Sequence, residues 1–184
     1  MDEDDESLPA YMTPLYFALE DRDFDRARSL ISEGHTIDKE PTDDGYTLLH
    51  RAVQHGDVKT VRFILSVGCA ATLNTFDYVQ HTPLMWAAKE GRLEIARLLI
   101  AAGADINANN EEKIGNIAIR EAAYVGDLRM VELLLAAGAN PTIPGWMQID
   151  AVLEAKRQAE ANPSSDARRK IAELLARATP PGKA

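Results

Sequence analysis

Four histidines, His35, His50, His55 and His81, and a single cysteine, Cys69, carry the most versatile side-chain chemistry in this 184-residue sequence. A nucleophilic mechanism needs a thiol or hydroxyl beside a base, and a metal site needs ligands at matched short spacing. The four histidines offer neither pattern. His50 and His55 are five residues apart, which on a helix is about 500° of rotation at roughly 100° per residue, so the rings point to different sides. Cys69 follows Gly68 at a site that Ala104 and Ala139 fill further along, and a thiol there is expected to be small and buried rather than reactive. The chain is therefore expected to be no enzyme and to hold no cofactor and no metal. Aromatic residues are the remaining group with a specific chemistry: four Phe, five Tyr and two Trp. Such side chains anchor protein interfaces, provided that the fold gathers them on one surface.

The elements that would position them recur along the chain. Thr47-Leu48-Leu49-His50-Arg51-Ala52 and Thr82-Pro83-Leu84-Met85-Trp86-Ala87 share one order of small, apolar and polar positions, as does Thr13-Pro14-Leu15-Tyr16-Phe17-Ala18. Weaker copies begin at Ile117 and Asp150, so the starts fall 34, 35, 35 and 33 residues apart. A fixed period in this range is the mark of stacked units. From the first four starts to Gly34, Gly68, Gly103 and Gly138 the distance is always 21 residues, so a rigid unit alternates with an adjustable loop.

Within the unit, Thr82 is suited to cap a helix whose first residue is Pro83, where a missing N–H costs nothing. Gly56, Gly91 and Gly126 lie nine residues after their starts, where a chain leaving a helix needs a left-handed residue. Arg22 stands where the first repeat should have that glycine. Ile95, Leu98 and Leu99, echoed by Met130, Leu133 and Leu134, have the spacing of a second amphipathic helix, with Leu99 in its core. A pair of about 21 residues cannot bury both apolar faces alone, so neighbours must stack. In the last repeat, Ala159 to Asp166 reads as an insertion of about eight residues between helices, with Asp166 capping a final helix through Ala178. The expected organisation is an acidic, disordered tail over 1–10, a repeat domain over 11–178, and a mobile tail over 179–184.

Thr82-Pro83-Leu84 and Thr47 to Ala52 match the T-P-L-H-x-A pattern of the ankyrin family, and Gly103-Ala104-Asp105-Ile106-Asn107-Ala108 matches the family's repeat ending. The sequence resembles that family over about residues 11 to 178. The resemblance implies a mainly α, ankyrin-type solenoid of stacked antiparallel helix pairs joined by β-hairpin-like loops. It also implies that His50, at the family's repeat-histidine position, ties its helix to neighbouring backbone. Asn107 lies in a context resembling the substrates of the asparaginyl hydroxylase that modifies ankyrin repeats, but a hairpin-stabilising amide is the simpler role. In the family the first helices and loops line a concave face where partners bind. Positions just before each start, and four, seven or eight residues after it, then place Phe17, Glu20, Asp21, Gln54, His55, Glu90, Val125 and Arg157 on that face. The residues expected to bind a partner there are Tyr46, Arg51, Tyr78, Trp86, Lys89, Glu121, Tyr124 and Trp146. Phe17 and Trp86 could equally fill gaps between helices, whereas Tyr78 and Trp146 fall in loops, where recognition residues concentrate.

Lys plus Arg total 20 against 29 Asp plus Glu, a formal net charge of −9, with five of the negatives in Asp2 to Glu6. Such a balance disfavours nucleic acid and anionic membranes and fits a basic or neutral protein partner. No signal peptide and no membrane span is legible, and the lone cysteine suits a reducing compartment, so a cytoplasmic location is expected. The functional expectation is a monomeric protein-binding module, with inhibition of an enzyme or toxin, in the manner of an immunity protein, as the narrower reading. A small-molecule sensor or enzyme using the aromatic groove is the alternative, and a self-associating structural protein is a third.

Overall fold

A computed structural model describes residues 13–37, 46–110 and 116–179. The expected acidic and C-terminal tails lie outside the described residues, apart from Thr179. Among the described residues, ten α-helices form five consecutive pairs: α1 (Pro14–Glu20) with α2 (Phe24–Ser32), α3 (Leu48–His55) with α4 (Val58–Val67), α5 (Pro83–Lys89) with α6 (Leu93–Ala101), α7 (Ala118–Val125) with α8 (Leu128–Ala136), and α9 (Ala151–Ala161) with α10 (Asp166–Ala178). From the second pair onward, first helices stack in the order α3, α5, α7, α9 and second helices in the order α4, α6, α8, α10. Among the described residues, no strand is formed in the connecting loops.

Local chemistry sets the helix starts. Thr13, Thr47, Thr82 and Asp150 cap the first helices with side-chain oxygens that accept from Tyr16, His50, Met85 and Leu153 backbone N–H groups. Ile117 makes no such bond; it is buried at 1% exposure, so apolar packing replaces the polar cap there. Between the stacked pairs lies one continuous apolar core, in which Leu99 is fully buried.

The turn between the two helices of each pair also joins one repeat to the next. Gly56 adopts φ +70, and its open side faces the Arg92 guanidinium, which donates to the Gln54 carbonyl at 3.2 Å. Arg168 does the same two repeats later, donating to the Tyr124 and Val125 carbonyls at 3.0 and 3.2 Å. These cations sit at helix C-termini, where backbone carbonyls lack partners and the helix dipole is negative. Arg22, in the glycine position, takes the left-handed φ of +57 itself and reaches Asp57 at 2.7 Å. Asp57 also caps α4. Burial pushes its carboxyl up, but the Arg22 and Thr60 hydrogen bonds outweigh that and hold its pKa below the ordinary value. Arg92, by contrast, makes no side-chain cap for α6.

The final repeat differs from expectation in two respects. Ser165, not Asp166, caps α10, its hydroxyl accepting from the Arg168 N–H at 3.4 Å. The reason is geometric: Ser165 has the extended backbone of a capping residue, while Asp166 is already helical, where its charge suits the positive helix end. The insertion is absorbed mostly as helix. α9 has 11 residues where α7 has 8, and α10 has 13 where α8 has 9, leaving only residues 162–165 as the link.

Candidate functional site

Among the described residues of the first helices and the loops that precede them, a dense cluster of hydrogen bonds centres on Asp77. The Asp77 N–H donates to the His81 carbonyl at 3.0 Å, and the Gln80 N–H donates back to the Asp77 carbonyl at 2.9 Å. Oδ1 of Asp77 accepts from the Val79 and His81 N–H groups, and its Oδ2 accepts from the Trp86 indole. One carboxylate thus fixes both the loop and the ring of α5. Gln80 takes a left-handed φ of +63 to complete the turn, which projects Tyr78 outward at 63% exposure.

His50 binds this loop to α3. A carbonyl can only accept, so Nε2, 3.1 Å from the His81 oxygen, carries the proton. Nδ1 then accepts from the Thr47 N–H and hydroxyl, at 3.3 and 2.8 Å. This is a neutral ring in a satisfied pocket, and burial lowers its pKa from the ordinary 6.5 despite the Asp77 charge. The expected scaffold role of His50 matches this geometry. His55, by contrast, is exposed, near Glu20 at 3.7 Å.

Three of the anticipated aromatics come together. The Tyr46 ring lies 5.7 Å from Tyr78 and 6.3 Å from Trp86, and Lys89 Nζ stands 4.5 Å above the Trp86 ring. Tyr46 is only 9% exposed, its hydroxyl accepting from Gln54. It therefore supports the patch from below, while Tyr78 and the half-buried Trp86 form its surface. Arg51 lies apart, at the α1–α3 seam, its guanidinium 5.5 Å from the Tyr16 ring. Tyr124 is exposed on α7. Trp146 begins a short turn over Trp146–Gln148, in which Met147 is left-handed and exposed; the Trp146 side chain lies outside the described residues.

A second feature adjoins the patch: a cleft of about 370 Å³ between α5, α7 and α9. Lys89, Glu121 and Tyr124, all anticipated, line it together with His81, Asn116, Arg120 and Glu154, which were not. Glu121 is 7% and Glu154 8% exposed. Glu154 stands four residues after its repeat start, in the register of Trp86 and Glu121, so the spacing that selected those two also pointed to it. Asn116 and His81 each directly precede a start, as Tyr46 does, and carry the same signal.

Elsewhere, Cys69 is buried as expected. Asn107 acts as a structural amide, donating to the Gly138 carbonyl at 3.2 Å and accepting from the Asn140 N–H at 2.8 Å. Among the described residues, no group of three or more His, Cys, Asp or Glu is placed to hold a metal ion, and no helix is long and apolar enough to cross a membrane.

Comparison with known families matches the chain to the model described as "Ankyrin repeats (3 copies)", over residues 2–77 and again over 70–144. No curated protein matches the chain.

Proposed function

Because the chain belongs to the ankyrin repeat family, whose repeats are generally protein–protein interaction modules, we propose that it is a non-catalytic module that binds a partner protein through its first helices and the loops before them. The observation that carries this reading is the aromatic patch: Tyr78 stands exposed on a loop fixed by Asp77, over Tyr46 and beside Trp86. A rigid, amphipathic ring on a preorganised loop loses little entropy on binding, which suits it to be an anchor. Arg51, Lys89, Glu121, Tyr124 and Trp146 extend the proposed face. The net charge of −9 supports a basic partner, and a small module of this kind fits an inhibitory or immunity role toward an enzyme or toxin, acting as a monomer in the cytoplasm.

Affinity capture from the native cell, with Tyr78→Ala plus Trp146→Ala as the comparison, tests the assignment. The variant is expected to lose at least about tenfold of the partner retained by the wild-type chain, since anchor residues contribute about 2 kcal/mol or more. Equal capture of the same partner would remove these residues from the interface. The cleft beside the patch supports a second reading, a small-molecule sensor or enzyme. Reproducible retention or turnover of one metabolite by the purified chain would favour it over protein binding.

A further inference from the structure

The charges lining the α5–α7–α9 cleft are unequally committed. Its two cations already have partners. Arg120 donates to Asn116 Oδ1 at 2.6 Å, and Lys89 sits over the face of Trp86. Asn116 in turn approaches His81 Nε2 at 3.4 Å, while His81 Nδ1 lies 3.1 Å from the Val79 carbonyl, so the neutral groups are also engaged.

The carboxylates are less fully engaged. Glu121 has a side chain nine-tenths buried, yet among the described residues it accepts no hydrogen bond. Arg120, 3.8 Å away, pairs with it by charge but stands beyond hydrogen-bond reach, as does His81 Nε2 at the same distance. Glu154 is buried to a similar degree and accepts only a neutral amide, from Gln158 at 2.9 Å. Two largely buried carboxylates thus line one cleft, and no cation hydrogen-bonds to either, which leaves acceptor capacity for a further charged donor. The volume of about 370 Å³ falls within the roughly 300–1,000 Å³ of ligand pockets, and the exposed Tyr124 at the rim offers a ring face on which a planar cation stacks.

Resting on the protein-binding reading above, we infer that this cleft receives an arginine side chain of the partner, its guanidinium accepted by Glu121 and Glu154 and its flank held by Tyr124. A guanidinium presents several donors in one plane and is less strongly hydrated than an ammonium, so it suits a partly buried pair of acceptors. The partner chain is the source of the group, which makes the cleft a specificity pocket next to the aromatic patch.

The test uses the full chain and three probes: acetyl-glycyl-arginine amide, its citrulline counterpart, which keeps the shape without the charge, and agmatine, a free guanidine. Amide-detected NMR titration is expected to show saturable shifts at the Asn116 side-chain amide and the Glu121, Tyr124 and Glu154 backbone, with the arginine peptide half-saturating in the millimolar range typical of weak fragments. Citrulline is expected to bind about tenfold more weakly or worse, as loss of a charged hydrogen bond requires. E121Q and E154Q should each weaken the arginine peptide similarly, with thermal midpoints checked to confirm folding, and Tyr124→Ala should weaken it without touching the buried network. Shifts outside the cleft, equal binding of citrulline, or unaltered binding by all three variants would overturn the inference. Binding of agmatine with exclusion of the peptide would overturn the partner chain as the source. Tyr78-dependent capture of a protein by a chain that ignores the arginine peptide would sink this inference alone. Peptide binding by a chain whose capture is insensitive to the Tyr78→Ala plus Trp146→Ala change would sink the aromatic assignment and leave the pocket standing.

Discussion

At the scale of single residues, His50 shows how a side chain with catalytic potential becomes structural. Both ring nitrogens are occupied in the neutral form, by the His81 carbonyl and by Thr47, so protonation removes an acceptor inside a buried site. The folded pKa is lowered, and the folded state therefore binds fewer protons than the unfolded one below the ordinary value of 6.5. Stability from this group is full above about pH 6.5 and is lost as pH falls from there through the depressed folded value. Imidazole NMR is expected to give His50 a midpoint below 6.5, and His50→Gln should flatten the acid-side fall in melting temperature. A midpoint at or above the ordinary value would refute the neutral-ring account. The sequence marked this residue as scaffold because its place in the repeat was visible. Depth was less visible: Glu121 shares the register of Phe17, which is 38% exposed, yet is itself buried, since spacing assigns a side chain to a face and leaves open how far the adjacent repeat covers it.

At the scale of elements, the seam between repeats rests on two neighbouring positions. One repeat leaves room at its turn, and the next sends a side chain into that room. Gly56 fills the first role and Arg92 the second; a Cβ on Gly56 would stand 2.8 Å from the Arg92 guanidinium carbon. Gly56→Ala is expected to cost about 1–2 kcal/mol for the left-handed backbone, as urea unfolding would measure. Because the added methyl also displaces Arg92, Arg92→Ala should cost less in that background than in the wild type. Strict additivity would show that the two do not share one contact. The turn glycines were legible from sequence, as were the helix pairs and their starts. The arginines were not, because Arg168 matches Arg92 only after the eight-residue insertion is discounted, and because a charged residue at a helix start ordinarily reads as solvated.

At the scale of the whole molecule, stability is a sum over stacked neighbours. The core passes from pair to pair without a break, and residues such as Leu99 and Leu134, fully buried here, would face water in an isolated unit. A peptide spanning residues 82–115 is therefore expected to show little helical circular dichroism in water, while the full chain shows a strongly helical spectrum. Stable, cooperative folding of that peptide would contradict the collective account. The solenoid as a class followed from its period, because five in-phase copies leave few other ways to bury two short amphipathic helices. The cleft did not, because it arises where α5, α7 and α9 meet and depends on side chains from three repeats at once.

The seam has a consequence for how such a chain could grow or be rearranged. The residue just before the second helix is Asp23, Asp57, Arg92, Asp127 in the first four repeats, and the turn of the previous repeat is matched to it: Arg22 meets Asp57, and Gly56 admits Arg92. Units of this protein are thus not interchangeable parts. Shuffling the third repeat to follow the first would set Arg22 against Arg92 and leave Asp57 without its cation. Serial order is written into the joints by charge and size, so a unit placed behind the wrong turn would yield a mismatched junction even though every helix in it could still form.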